Sequence, residues 1–415
     1  MIGILISAIK IIFLLGFLIF IHEGGHFLVA KLSKVKVNEF AIGFGPTIWK
    51  RQGKETKYAL RLIPLGGFVS MEGEVETSEE EGSFSKASIP KRIAIVAAGA
   101  IVNIVFGLIV YFILMSSSGV HITNKVDSLV KEYAAENVGI RIGDKIIGLN
   151  DKKINSKEDI NKFMDNANGE SISIKVNRDG EIIEFNLIPT KIDTKTTGIY
   201  LKDDSKIVAI DKDSSAEKYG LKTNDLIKKI NGEDTENNPY KIIELINQNY
   251  EIIRFEIQRG EETINVDLVP DNISKYYLGI TFKQADDTFG NHIYYGVIET
   301  KKFAFSIIDN LKKLFSGKVS ADQMMGPVGI SEIVADTNGV QEFIYILALI
   351  SLSLGVTNLL PIPALDGGKI VILLIEYIRK KQLKEGTEAK IQLVGFTFLI
   401  ALTLYITYND ILRIF

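Results

Sequence analysis

Apolar residues concentrate in four long blocks of the chain, and the segments between these blocks have mixed or alternating patterns. A helix that crosses a bilayer needs about 20 predominantly apolar residues, and the block at 93–115 has 23 residues without a charge. No cleavage site of small residues follows the first block, so we expect a retained helix there. The pattern predicts four transmembrane helices, at 1–32, 91–116, 342–378 and 390–412.

The segment between the second and third blocks contains an internal repeat with an offset of 81 residues. The sequence AENVGIRIGDKIIGLN (135–150) aligns with AEKYGLKTNDLIKKIN (216–231), and Arg178 aligns with Arg259. Such a repeat indicates one structural unit used twice. We therefore predict two similar small domains, at about 118–192 and 196–272.

The repeated pattern, G-(I/L)-(R/K)-x-(G/N)-D-x-I-x-x-(I/L)-N, resembles that of the PDZ domain, a small peptide-binding α+β fold. The resemblance implies that the pair binds peptides or controls access to another part of the protein. The alternative is that the two domains are only spacers or a rigid cap.

Two shorter segments have patterns of their own. Residues 43–74 alternate apolar and polar positions around Gly53, which predicts a β-hairpin, placed at 40–75. Residues 303–317 have apolar residues at helical spacing with lysines between them, which predicts an amphipathic helix on the outer membrane surface, at 300–325. The predicted fold class is an α-helical polytopic membrane protein with four transmembrane helices, a membrane-associated β-hairpin and two extracytoplasmic PDZ-like α+β domains.

Charged residues predict the orientation and exclude one class of partner. Eleven Lys or Arg lie between 31 and 92 and five between 379 and 390, and short connections rich in these residues are cytoplasmic. Both termini and the segment 116–342 are then extracytoplasmic. The net charge of −3 and the lack of a basic patch argue against nucleic acid as a partner. The chain has no cysteine, so metal ligands must be His, Asp, Glu or Asn.

The sequence HEGGH (22–26) places three ionisable side chains inside the first apolar block. His22 and His26 are four residues apart, so on a helix they share one face and can bind one metal ion. Glu23 is next to the first of them, where a carboxylate can take a proton from an activated water. Two imidazoles and one oxygen ligand suit Zn²⁺ with a fourth position open. The alternative is a chance pattern, but ionisable groups in a membrane helix are costly and mark function by default.

The third ligand must come from another part of the chain, and the sequence NLLPIPALDGGKIV (358–371) offers Asp366. Two prolines and a pair of glycines break the helix there. Irregular backbone at membrane depth is tolerated only where protein or a water-filled cavity surrounds it. We therefore expect Asp366 to face HEGGH as a metal ligand. The alternative is that Asp366 caps a helix at about 368–378.

Together, HEGGH in the first helix and N-x-x-P-x-P-x-L-D-G-G at 358–368 resemble the motifs of the site-2 proteases, which are intramembrane zinc metalloproteases. The tandem PDZ-like domains and GPVGI (326–330) make the chain similar to the bacterial RseP-like branch (regulator of sigma-E protease). The resemblance implies Zn²⁺ bound by His22, His26 and Asp366, with Glu23 as the catalytic base.

The resemblance also implies roles for two asparagines. Asn358 would steady the substrate or the developing oxyanion, and Asn103, in AGAIVN (98–103), would support the active site from the second helix. Two positions depart from the family pattern: Ala100 replaces a usual proline, and Gly24 replaces a usual bulky residue. Adjacent glycines in a helix permit close approach of a neighbouring helix or a substrate.

The function implied is a zinc endopeptidase of the bacterial inner membrane, with the lipid bilayer around it. Its partners would be single-span membrane proteins, such as anti-sigma factors or remnant signal peptides, trimmed first by another protease. A non-catalytic PDZ-bearing scaffold with a vestigial metal site is the main alternative, and a metal transporter is another. Glu23 favours the peptidase, because neither alternative needs a base beside a metal ligand.

Overall fold

The computed structural model describes residues 2–74, 76–117, 121–201, 205–236, 238–248, 250–316, 325–337, 339–383 and 385–414. The chain forms two compact units. The helical unit comprises Met1–Gly119 and Asp287–Phe415, and the β-rich unit comprises Val120–Asp286.

The N-terminal part of the helical unit has two long helices with a hairpin between them: α1 (Ile2–Leu32), β1 (Val37–Gln52), β2 (Lys57–Met71) and α2 (Ile89–Ser117). The strands pair antiparallel, and both bend. Phe40 pairs with Tyr58 on one side and with Val69 on the other, so the start of β1 lies between the two halves of β2. The second half of β2, residues 67–71, is therefore an edge of this small sheet.

The β-rich unit contains fourteen strands and four helices among its described residues. In chain order these are β3 (Ile122–Leu129), α3 (Ala134–Asn137), β4 (Lys145–Leu149), β5 (Lys152–Lys153), α4 (Lys157–Met164), β6 (Ile172–Arg178), β7 (Glu181–Leu187), β8 (Thr190–Thr196), β9 (Ile199–Leu201), β10 (Ile207–Ile210), α5 (Ser215–Lys218), β11 (Leu226–Ile230), β12 (Glu233–Asp234), α6 (Pro239–Asn247), β13 (Ile253–Arg259), β14 (Glu262–Leu268), β15 (Asp271–Tyr277) and β16 (Ile280–Gln284).

The two repeats exchange strands. The sheet of the first repeat has the order β16-β3-β4-β6-β7, so its edge strand comes from after the second repeat. In the second repeat the equivalent strand, β9, pairs with β10. Strands β8 and β15 pair with each other, and the pairing is symmetric, because Asp193 lies opposite Ser274, its own equivalent at the offset of 81. The first sheet thus includes residues beyond 272, the expected end of the second domain.

The helical unit continues with α7 (Phe289–Phe315), α8 (Pro327–Ala335), α9 (Val340–Asn358), α10 (Asp366–Arg379) and α11 (Glu385–Ile414). The segment predicted at 342–378 forms two helices, and the break expected at the prolines lies between α9 and α10. α7 begins before residue 300 and packs along α2, where the rings of Tyr111 and Phe303 stack 4.0 Å apart. Residues 317–324, within the segment predicted as amphipathic helix, lie outside the described residues.

Four helices among the described residues are long and apolar enough to cross a membrane: Leu5–Leu32, Ile89–Ser117, Val340–Asn358 and Gly386–Leu412. With the hairpin and the β-rich unit, they confirm the part of the predicted fold class that combines four long apolar helices with β-sheet domains. α2 packs closely on both sides. A Cβ on Gly25 of α1 would lie 2.7 Å from the carbonyl oxygen of Ala98, and a Cβ on Gly355 of α9 would lie 2.6 Å from that of Ala100. These approaches position α1 and α9 around α2.

Candidate active site

Three predicted side chains converge where α1 meets the start of α10. His22 Nε2 lies 3.2 Å from His26 Nε2, and Asp366 Oδ2 lies 3.4 Å and 3.6 Å from these two nitrogens. Asp366 is about 340 positions from the two histidines in the chain. The tight turn before α10 brings Asp366 into place: a Cβ on Gly367 would lie 2.2 Å from the carbonyl oxygen of Leu360, so only glycine fits.

The donor set fits a zinc ion. Ligands about 2.0–2.2 Å from a tetrahedral Zn²⁺ lie roughly 3.3–3.6 Å from one another, close to the three separations seen here. Asp366 Oδ2 is buried and has no hydrogen-bond partner among the described residues. Asp366 is the first residue of α10, and the N-cap position before it is Leu365. The buried oxygen is therefore available to a cation, and the choice between metal ligand and helix cap stays a prediction.

α2 fixes the orientation of His26. Nδ1 of His26 lies 2.8 Å from the carbonyl oxygen of Ile95. A carbonyl only accepts hydrogen bonds, so Nδ1 carries the proton and donates it. Nε2 then presents its lone pair to His22 and Asp366, which is the tautomer that a metal ligand requires.

Asn103 lies beside Nδ1 of His22, as the carbonyl of Ile95 lies beside Nδ1 of His26. Its Nδ2 lies 3.4 Å from His22 Nδ1, while its buried Oδ1 has no partner among the described residues. The two ends of a carboxamide are assigned from their hydrogen bonds. Rotating the amide of Asn103 by half a turn pairs Oδ1 with an Nδ1–H of His22. That rotation satisfies the orphaned oxygen and leaves Nε2 of His22 free for a metal.

Glu23 lies between these ligands and the edge of the hairpin sheet. The backbone of Val69 lies close to its carboxylate. A Cβ on Gly67 would lie 3.1 Å from Cγ of Glu23, so β2 passes close to the carboxylate. The base predicted from HEGGH therefore faces an unpaired strand edge as well as the candidate metal ligands.

Some contributors to the site are absent from the sequence prediction. A Cβ on Gly99 of α2 would lie 2.4 Å from His26 Nε2. The acceptor that orients His26 is the backbone carbonyl of Ile95, which no side-chain motif reveals. Gly99 lies within AGAIVN, and the lack of a side chain there was the only sequence signal of a close contact with His26. Of the two glycines in HEGGH, Gly25 is required by its close approach to Ala98 of α2, whereas a Cβ on Gly24 would have nothing within 4 Å. Asn358 is half-buried at the end of α9, and its role stays a prediction.

A cavity of about 300 Å³ opens beside Asp366. It is lined by polar side chains from the hairpin, α10 and α11, among them Glu74, Lys369 and Gln392. Gln392 accepts a hydrogen bond from the backbone N–H of Ala364, which has a φ of +74°. The last helix thus supports the turn that presents Asp366, and the cavity gives water a polar route to it.

Comparison with known proteins agrees with this chemistry. The profile described as Peptidase family M50 matches residues 10–402. The zinc metalloprotease RasP of Bacillus licheniformis is 31% identical, covering 99% of both chains. The regulator of sigma E protease of Haemophilus influenzae is 28% identical, covering 96% of each. A PDZ domain protein from Parabacteroides distasonis matches 27% of this chain and 48% of its own at 13% identity, with a TM-score of 0.18, too low to support an argument about fold. This chain belongs to peptidase family M50, the zinc metalloprotease family whose members include the site-2 proteases.

Proposed function

We propose that this protein cleaves peptide bonds within transmembrane segments of other membrane proteins, with Zn²⁺ held by His22, His26 and Asp366. The observation that carries the proposal is the convergence of these three ligand atoms within 3.6 Å. Two of them lie on α1, which is long and apolar enough to cross a membrane, and the third lies at the start of α10. A zinc ion bound there would act as a Lewis acid on the scissile carbonyl and on a water. Asn103 orients His22, and Ile95 orients His26.

Glu23 performs the proton transfers in this mechanism. Its carboxylate takes a proton as the water oxygen attacks the carbonyl carbon. It returns that proton to the amide nitrogen as the C–N bond breaks, leaving a carboxylic acid and an amine. We assign Asn358 to the substrate carbonyl or its developing oxyanion, because it ends the helix that leads to the break before Asp366.

The substrate must be extended before it can be cut. A transmembrane helix satisfies its own backbone hydrogen bonds, and opening it in the membrane leaves those groups unpaired. The edge at residues 67–71 supplies replacement partners by strand addition. Because this edge lies against Glu23, an added strand would pass beside the base.

The first experiment compares wild type with Glu23→Gln on a single-span substrate, with bound zinc measured in both. We expect zinc in both proteins and cleavage only by the wild type, with a loss of at least about 100-fold for a missing base. Cleavage that survives in Glu23→Gln would overturn the mechanism. Zinc binding without cleavage by either protein would support the scaffold alternative.

The same assay tests the expected partners and the role of the repeats. We propose that the β-rich unit excludes substrates that keep a large outer domain, so prior trimming by another protease is needed. Removal of residues 121–286, which takes out both exchanged strands, should then allow an untrimmed substrate to be cut. Unchanged selectivity would contradict the filter.

The proposed orientation places both termini outside the cytoplasm of a bacterial inner membrane. The chain has no cysteine, so a single cysteine at Gly53 or Gly290 can report the side of the membrane. Labelling of Gly53→Cys by an impermeant reagent in intact cells would contradict the orientation.

A further inference from the structure

One ion pair joins the hairpin to the helix that carries Asp366. Glu74 lies three residues beyond the end of β2, and its Oε1 lies 2.7 Å from Lys369 Nζ. Lys369 lies on α10, one turn after Asp366. Its ammonium group also lies 5.1 Å from the ring centroid of Phe84, which is fully buried. The partners are only 20% and 21% exposed, so solvent screens the pair less than it screens a surface pair.

This ion pair closes a ring of contacts around the candidate active site. Gly67 and Val69, on the edge of β2, contact Glu23 on α1. Glu74, just after β2, binds Lys369 on α10. Asp366, at the start of α10, lies against His22 and His26. The strand edge is thereby fixed at both ends to the elements that carry the base and the metal ligands.

The hairpin does not by itself fix the position of β2 relative to α10. Residues 39–42 pair with residues 67–70 in one continuous register. This pairing fixes β2 relative to β1, but it does not fix the small sheet relative to a helix outside it. The axial position of residues 67–71 relative to Asp366 therefore depends on contacts outside the sheet, and the Glu74–Lys369 pair is one of them.

We propose that Glu74 and Lys369 are positioning residues that set the register of the bound substrate strand and so select the scissile bond. The proposal rests on strand addition at residues 67–71, described above. A substrate strand paired with this edge takes its axial position from β2. Because the hydrogen-bonding pattern of a strand repeats every two residues, a displaced edge would present a peptide bond two residues away from the normal one.

A second Lys–Glu pair provides a matched control. Lys31 of α1 lies 2.9 Å from Glu55, in the connection between β1 and β2. It also joins a helix to the hairpin, but at the opposite end from Glu74 and with partners 29% and 46% exposed. Glu55→Gln removes a similar ion pair without touching the link between β2 and α10.

The experiment maps cleavage sites by mass spectrometry for the full-length protein in lipid vesicles. It compares wild type, Glu74→Gln, Lys369→Met, Glu55→Gln and the reversed pair Glu74→Lys with Lys369→Glu. We expect each single change at the pair to lower kcat/KM at the principal bond by about 10- to 100-fold, as for a misplacement of about 1 Å. New products should appear from bonds two residues away. The reversed pair should restore the principal bond, and Glu55→Gln should leave it unchanged.

Bound zinc, measured in every variant, separates register from assembly of the site. Lower activity at an unshifted bond would overturn the proposal, as would loss of zinc in Glu74→Gln or failure of the reversed pair to restore the normal bond. Failure of the proposed function is distinct, because wild type itself would then produce no cleavage.

Discussion

Two sets of buried carboxylates in this protein have opposite hydrogen-bonding states. In the β-rich unit, Arg178 donates two hydrogen bonds of 2.7 Å to Asp144, which also accepts one of 2.8 Å from the backbone N–H of Arg141. The second repeat has the same arrangement, with Arg259 donating bonds of 2.7 Å and 2.8 Å to Asp225. In the helical unit, Asp366 has a buried oxygen without a partner among the described residues.

This difference separates a structural carboxylate from a candidate ligand. Burial by itself would raise the pKa of Asp144, but the hydrogen bonds from Arg178 and Arg141 hold that pKa below its ordinary value. A fully satisfied charge of this kind stabilises one geometry and offers nothing to a ligand. An unsatisfied buried oxygen is costly to keep, so it indicates a partner that supplies charge.

The histidines show the same contrast. Both ring nitrogens of His292 face acceptors, at 2.6 Å from Asp287 Oδ1 and 2.7 Å from the carbonyl oxygen of Ser116. His26 has one such hydrogen bond, to the carbonyl oxygen of Ile95, and its other nitrogen lies 3.2 Å from His22 Nε2 and 3.6 Å from Asp366 Oδ2. One histidine therefore has a hydrogen-bond acceptor at each ring nitrogen, whereas the other presents one nitrogen to a cluster of possible metal ligands.

The largest expected effect tests the contrast directly. Asp366→Asn should abolish cleavage and lower zinc affinity by more than the roughly 10- to 100-fold typical of residues that only orient ligands. The matched change Asp144→Asn should leave bound zinc unchanged in the folded protein. Competition with a chelator measures both. Equal zinc retention by the two variants would remove Asp366 from the ligand set.

A smaller effect is expected on the stability of the two repeats. Asp144→Asn and Asp225→Asn should each lower the local stability of their repeat by roughly 3 kcal/mol, because each leaves an arginine without its partner. Hydrogen exchange of peptides from β4 with β6, and from β11 with β13, measures this in the full chain. The stabilisation by Asp144 should persist above the ordinary Asp pKa and be lost as pH falls through its lowered value.

The surface pair of Arg254 and Asp267 is the control for this prediction. Its atoms are 3.0 Å apart, but its side chains are 72% and 54% exposed. Asp267→Asn should change the stability by less than about 1 kcal/mol. A loss as large as that of Asp225→Asn would show that burial is not what distinguishes the repeated pair.

The smallest effect concerns His292 and pH. Hydrogen bonds to Asp287 and to the carbonyl of Ser116 raise the pKa of His292 above its ordinary value. The contact between the start of α7 and the end of α2 should be fully present below about pH 6.5 and weaken as pH rises through the raised pKa. Hydrogen exchange of residues 289–300 between pH 6 and 9 measures it. His292→Gln should remove the pH dependence, and a dependence that remains would contradict the assignment.

Local patterns in the sequence determined much of this protein. The apolar blocks predict the helices because the length of a membrane helix depends on its own residues. The offset of 81 predicts two similar units. HEGGH places two histidines on one helix face because of their spacing alone, whatever the helix packs against. An acidic residue between prolines and glycines in an apolar block predicts the third candidate ligand, Asp366.

Only the tertiary structure decided which groups complete the site and how the repeats are joined. The carbonyl of Ile95 and the space at Gly99 matter because α2 crosses α1 there, and no pattern within either helix encodes that crossing. The exchange of β9 and β16 preserves every strand of both repeats, so the repeat in the sequence is the same with or without it. The tie from Glu74 to Lys369 depends on the bend of the hairpin. These features arise from contacts between residues far apart in the chain, and the physical reason is that close packing selects among partners that the local sequence permits equally.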